Sequence, residues 1–175
     1  MTVRDTISSV IFYVGVVAAA WLLIWLGSTY GFEKVPQEFR GMEPHLDRGS
    51  HAFVRKGIRN VEEDLRYKDV IVYRRPGKKH ASYDYELAHV VGKPGDVVDM
   101  EGRKLFRCQR SKDGLGPREP VEMCRYADER GLIRDFSPFI VPRNTVFVMH
   151  DNQDTSEPLG NLVVPVHAIY ARLLR

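Results

Sequence analysis

Apolar positions fall into two kinds of run along this chain. One is long: "ISSVIFYVGVVAAAWLLIWL", Ile7 to Leu26. No charge interrupts the chain from Thr6 to Phe32. A helix rises about 1.5 Å per residue, so roughly 20 apolar residues span a hydrocarbon core of about 30 Å. Trp21, Trp25 and Tyr30 crowd the far end, where an aromatic belt belongs. The competing reading is a cleaved signal peptide, whose apolar region runs about 7–15 residues and ends in small residues. This run is longer, and Ala18-Ala19-Ala20 lies inside it. Residues 1–30 are therefore predicted to form an uncleaved membrane anchor, with the lipid bilayer crossed at 7–26.

After Phe32 the runs are short and the turns dense. "HAFVRKG" reads as a strand ending at Gly57, and "KDVIVYRRPG" as one stopped by Pro76-Gly77. "ELAHVVGKPGD" runs into a Pro-Gly turn, and "VVDMEGRKLFR" reads as a hairpin turning at Glu101-Gly102. "FIVPRNTVFVMHDN" carries two more runs, and "NLVVPVHAIYARLL" closes the chain. Short β-rich runs at close spacing predict a mainly β domain over residues 31–175. No helical period of useful length follows the anchor. Residues 109–131 look least structured and are expected to be a surface insertion.

Charge changes little. The net charge of +3, without a basic block interleaved with aromatics, gives no footprint for nucleic acid. Arg4 precedes the anchor beside Asp5, and Lys34 and Arg40 follow it, so the positive-inside rule is nearly silent. The two cysteines, Cys108 and Cys124, flank a Gly/Pro-containing loop. They suit a disulfide in an oxidising compartment, or are two unrelated thiols. A disulfide together with the anchor favours a short inner N-terminus and a β domain on the extracytoplasmic side of the cell (inner) membrane. His45, His51, His150 and His167 match no ligand spacing, so neither a metal nor another cofactor is expected.

Four segments stand in order: the anchor, "RGMEPHLDRGSHAFVRKG", "KDVIVYRRP" with "AHVVGKPGDVV", and "VPRNTVFVMHDNQDTSEPLGNLVVP". Together they resemble the type I signal peptidase family over nearly the whole chain. The resemblance implies a membrane-anchored, largely antiparallel β fold with its active site facing the membrane surface. It also implies cleavage of secretory signal peptides by a serine nucleophile and a lysine base. A serine hydroxyl needs such a base, and a lysine can serve only where burial favours its neutral form.

The residues depart from that pattern at the chemistry. Ser-Met-x-Pro falls on Gly41-Met42-Glu43-Pro44, so the nucleophile position has no side chain. Lys-Arg-x-x-Gly-x-Pro-Gly-Asp falls on Ala88-His89-Val90-Val91-Gly92-Lys93-Pro94-Gly95-Asp96, so the base position is alanine. The Gly-Asp that follows the nucleophile becomes Gly49-Ser50, and Gly-Asp-Asn-Arg becomes His150-Asp151-Asn152-Gln153. The later Asp-Ser-Arg stretch is missing after Ser156. A catalytically inactive homologue is the main expectation. Its peptide groove is expected around Gly41, Met42, Glu43, Pro44, Ala88 and His89. Signal peptides, other membrane or secreted proteins, or the subunits of a larger membrane complex are its expected partners. The alternative is an active peptidase with His89 as base, Ser50 or Ser156 as nucleophile and Asp151 orienting the histidine. Otherwise His89 is a polar residue on an outer strand face and Ser50 a turn residue.

Overall fold

The computed structural model describes residues 3–35, 42, 46–47, 49–74, 85–102, 104–121, 135–151 and 162–174. Helix α1 spans Val3–Thr29. Its part Ile11–Thr29 has a mean hydropathy of 2.0 and none of it is buried against the rest of the chain, so it is long and apolar enough to cross a membrane. Strand β1 (Tyr30–Lys34) follows with no linker.

Eleven strands among the described residues make two antiparallel sheets. The larger is ordered β1-β2-β11-β3-β4-β9-β10, with β2 at His51–Lys56, β3 at Val70–Tyr73, β4 at Glu86–Gly92, β9 at Thr145–Met149, β10 at Val163–Pro165 and β11 at Ile169–Leu173. The smaller is ordered β7-β6-β5-β8, with β5 at Val97–Glu101, β6 at Lys104–Ser111, β7 at Gly114–Pro120 and β8 at Phe136–Ile140. A short helix, α2 (Val61–Asp64), and a 3-10 turn (Val166–Ala168) complete the described elements. The mainly antiparallel β fold with one N-terminal apolar helix is thus the one the sequence predicts.

β3 and β4 are buried along their whole length, which is why "VIVY" and "ELAHVVG" are nearly continuous apolar runs. Successive side chains alternate between faces. Ile71, Tyr73, Ala88, Val90, Val146 and Val148 enter one core cluster, under Val61 and Leu65. Val70, Val72, Leu87, Val54, Ala171 and Met42 form a second cluster on the opposite face. Val91, Phe147 and Met149 pass from that same face into a third, shared with the smaller sheet.

The two sheets join at the Pro94-Gly95-Asp96 turn. Gly95 has φ +86°, a region that suits glycine. Gly92 is needed for another reason: a Cβ there would meet Val141, Phe147 and Val98 side-chain carbons at 3.0–3.2 Å, where the sheets meet. Asp96 is buried and holds the turn. Its carboxylate accepts from Lys93 N, the Tyr67 hydroxyl and Arg110 N, each at 2.8 Å.

Three readings need correction. Residues up to Pro120 of the expected irregular insertion form the β6–β7 hairpin; 122–131 lie outside the described residues. The helix α2 was not visible in the apolar pattern, because one turn capped by Asn60 carries no period. His89 faces the interior, at 3% exposure, because β4 is covered on both sides.

Candidate functional site

The segment around the nucleophile position is described only at Met42; Gly41, Glu43 and Pro44 lie outside. Met42 is 1% exposed and packs with Val35, Ala52, Val54 and Leu87. Its carbonyl accepts from Leu46 N at 2.9 Å, closing a turn. Ser50 donates its hydroxyl to Asp47 O at 2.6 Å and so serves the next turn. Ser156 lies outside the described residues.

Ala88 is fully buried on β4, in the cluster with Ile71, Tyr73, Val90 and Val148. It faces away from Leu87 and therefore from Met42. Met42 and Ala88 thus enter different core clusters, and Gly41, Glu43 and Pro44 of the expected groove lie outside the described residues. Alternation along β4 sends the two residues to opposite faces.

A buried polar cluster accompanies Ala88 on its face. Tyr73 and Glu86 are register partners across β3 and β4, and the Tyr73 hydroxyl donates to Glu86 Oε2 at 3.1 Å. The same hydroxyl lies 3.4 Å from His150 Nε2. His150 follows Met149, the register partner of His89, so it stands beside Ala88 on the neighbouring strand. A buried imidazole thus stands next to the buried alanine. Sequence reasoning noted each departure but not their adjacency. The register of β4 on β9 was the missing piece.

On the other face His89 meets Asp151. His89 Nε2 lies 3.0 Å from Asp151 Oδ1, with side chains 4% and 1% exposed. His89 Nδ1 lies 3.0 Å from the Lys68 carbonyl oxygen. Both ring nitrogens therefore have an oxygen at 3.0 Å, from the Lys68 carbonyl and from the Asp151 carboxylate. A general-base histidine instead keeps one nitrogen for the nucleophile while the other is oriented by its partner. His89 and Asp151 bring β4 against the chain leaving β9.

The remaining candidates are dispersed. His51 and His167 are exposed, and His45 lies outside the described residues. The structure records Cys108 as a free thiol, half-buried in mid-strand β6 between register partners Val97 and Arg118. Cys124 lies outside the described residues, so the expected disulfide gains no support.

Beside the Pro-Gly-Asp turn, burial and then the hydrogen bond to Asp96 push the Tyr67 hydroxyl well above its ordinary range. The Arg107 guanidinium lies 3.7 Å from the Tyr67 ring centroid and donates to Val91 O at 3.0 Å. These contacts brace the joint between the sheets.

A helix long and apolar enough to cross a membrane, leading straight into a two-sheet antiparallel β domain joined at a Pro-Gly-Asp turn, defines the class. The family model "Signal peptidase, peptidase S26" matches residues 7–157, and the chain belongs to that family. It is 27% identical over 149 residues to signal peptidase I P of Bacillus subtilis subsp. natto, covering 85% of this chain and 77% of that one. It is 32% identical over 148 residues to signal peptidase I of Bacillus licheniformis, covering 82% and 74%. The crystal structure of a signal peptidase I from Enterococcus faecalis V583 aligns with a TM-score of 0.45 and 17% identity, over 64% of this chain and 98% of that one.

Proposed function

We propose that this chain is a membrane-tethered member of the signal peptidase family that does not perform serine–lysine acyl transfer and instead binds peptide or protein segments. The observation that carries this reading is Ala88: a methyl side chain, fully buried, at the base position. Gly41 supplies no nucleophile at the partner position. With nucleophile and base both absent, nothing starts acyl transfer, whatever donors remain.

The histidine-based reading gains nothing from the geometry of His89. Its two nitrogens face Lys68 O and Asp151 Oδ1, and Ser50 is engaged in its own turn. The ligands this reading favours are signal peptides or the membrane-proximal parts of secreted proteins, because the relatives are signal peptidases and α1 suits a bilayer. The β domain is placed on the extracytoplasmic side by the same reading.

The test is cleavage and binding of a standard preprotein by the purified full-length chain in detergent. Binding of the intact preprotein without cleavage is the expected result. Cleavage by the unmodified chain that is abolished by His89→Ala overturns the reading. Absence of both cleavage and binding, with a second protein co-purifying at fixed stoichiometry, turns the role into that of a structural subunit.

A further inference from the structure

The face of the larger sheet that carries Ala88 is closed by a short piece of chain. Ala88 and Tyr73 have no exposed surface, and Glu86 and His150 are buried beside them. Their cover includes Ile58, Val61 and Leu65, which enter the same core cluster as Ala88 and Tyr73. Between these three, Arg59, Asn60, Glu62 and Glu63 stay exposed, so the cover is apolar toward the sheet and polar toward solvent.

The cover is a unit of its own. Among the described residues, the backbone hydrogen bonds of residues 58–65 close inside it: Asp64 N donates to Asn60 O at 2.8 Å and Leu65 N to Val61 O at 3.2 Å. The Asp64 carboxylate accepts from Arg59 N and Asn60 N, and Asn60 Oδ1 accepts from Glu62 N, each at 3.0 Å. Side chains join it to the rest of the domain. These are the three apolar ones, the Arg55–Asp64 pair at 3.3 Å, and Lys93 Nζ, which donates to Glu62 O at 3.4 Å.

Its two ends differ. Gly57 precedes it at φ +80°, and a Cβ there would meet nothing within 4 Å, so glycine is required by the backbone and not by space. Tyr67 follows it as a fixed post, held through its hydroxyl by Asp96 at 2.8 Å and through its ring by the Arg107 guanidinium. Lys68, at φ +70°, then turns the chain toward β3 in a conformation that non-glycine residues rarely adopt. A self-bonded segment between a glycine pivot and a fixed post has the build of a hinged lid.

We propose that residues 58–66 are such a lid, closed in this structure, and that the closed lid is autoinhibitory. A peptide segment reaches the face of Ala88 only after the lid swings about Gly57. Apolar side chains of the bound segment then replace Ile58, Val61 and Leu65 on the sheet. Opening also uncovers the Tyr73 hydroxyl, the Glu86 carboxylate and the His150 imidazole, so the segment that fits carries a polar side chain among apolar ones. Locally stable units of this kind open without unfolding the rest of the domain.

The proposal rests on the peptide-binding reading above, and its test separates the two. The full-length chain in detergent carries Cys108→Ser and Cys124→Ser, with a single thiol introduced by Ala88→Cys or, as a control, by Val98→Cys. Val98 is equally buried but belongs to the third core cluster, away from the lid. Alkylation by N-ethylmaleimide is timed for each thiol with and without Arg55→Gln, which removes the tie to Asp64. The expected result is that Arg55→Gln speeds alkylation at position 88 by about twofold to fivefold, the shift that loss of one partly exposed ion pair gives, and leaves position 98 unchanged. Equal acceleration at both positions means global unfolding and overturns the lid; no acceleration at either overturns it too. Preprotein binding is measured on the same chains without the introduced thiols. Arg55→Gln is expected to tighten it by the factor seen at position 88, because more of the chain is open. Faster alkylation at 88 with unchanged binding overturns the autoinhibitory role. Faster alkylation at 88 in a chain that binds no preprotein keeps the lid and removes the peptide-binding reading.

Discussion

His89 and Asp151 meet at 3.0 Å inside the protein, one on β4 and the other just past β9, and neither side chain is more than 4% exposed. Removing one partner of such a pair leaves the other's polar atoms buried without it. His89→Leu or Asp151→Leu is therefore expected to cost about 1–3 kcal/mol of unfolding free energy. His89→Arg, which keeps a donor toward Asp151, is expected to lose far less. Denaturant unfolding in detergent checks this; a loss under about 1 kcal/mol for His89→Leu contradicts a buried tie.

Asp96 is a second point of concentrated strength. Two backbone N–H groups and the Tyr67 hydroxyl converge on its carboxylate. Asp96→Ala leaves those donors unmade at about 1–3 kcal/mol each, so a loss of at least 3 kcal/mol is expected, against about 1 for Tyr67→Phe. Because folding raises the Tyr67 hydroxyl above its ordinary value of 10.0, this stabilisation is complete below that value and declines as pH rises beyond it. Unfolding of the two variants beside the parent, at neutral and alkaline pH, measures both effects.

Asp64 makes the opposite pH prediction. Its carboxylate accepts from Arg59 N and Asn60 N, both at 3.0 Å, and pairs with Arg55 at 3.3 Å. The two backbone donors hold its carboxyl below the ordinary value of 3.8. Its stabilisation is therefore complete above that value and lost as pH falls through the lower folded value. Asp64→Ala is expected to cost about 1 kcal/mol at neutral pH, with a gap that narrows in acid. A gap that widens in acid contradicts this assignment.

Much of the scaffold was legible because its signals are local. β3 and β4 are apolar runs bounded by turn residues, and Glu101-Gly102 marks a hairpin through one left-handed glycine. β7 was not legible. "GLGPREP" has the composition of a loop, yet it is the edge of the smaller sheet, where a proline costs little pairing. The departures at 41 and 88 were visible as letters. That His89 finds Asp151, and that Tyr73, Glu86 and His150 gather beside Ala88, depends on the register of β4 against β3 and β9. Periodicity within one strand carries no information about that register.

The cluster beside Ala88 also decides what an attempt to restore catalysis should give. In Gly41→Ser with Ala88→Lys, the new lysine enters a site with no exposed surface, packed by Ile71, Val90 and Val148. Overpacking there is expected to cost about 1–3 kcal/mol. Glu86, two residues back on the same face of β4, is 4% exposed. A carboxylate beside a buried lysine favours the ammonium form, which cannot accept a proton from serine. The double variant is therefore expected to remain inactive on a preprotein. Adding Glu86→Gln removes the charge that holds the proton, and adding His150→Gly returns the family residue and vacates space beside position 88. Any gain of cleavage is expected only in the variant carrying all four changes, measured by preprotein cleavage in detergent alongside unfolding. Full activity in the double variant alone would mean that Glu86 and His150 do not govern the base position, and that the loss of two side chains is the whole difference from an active enzyme.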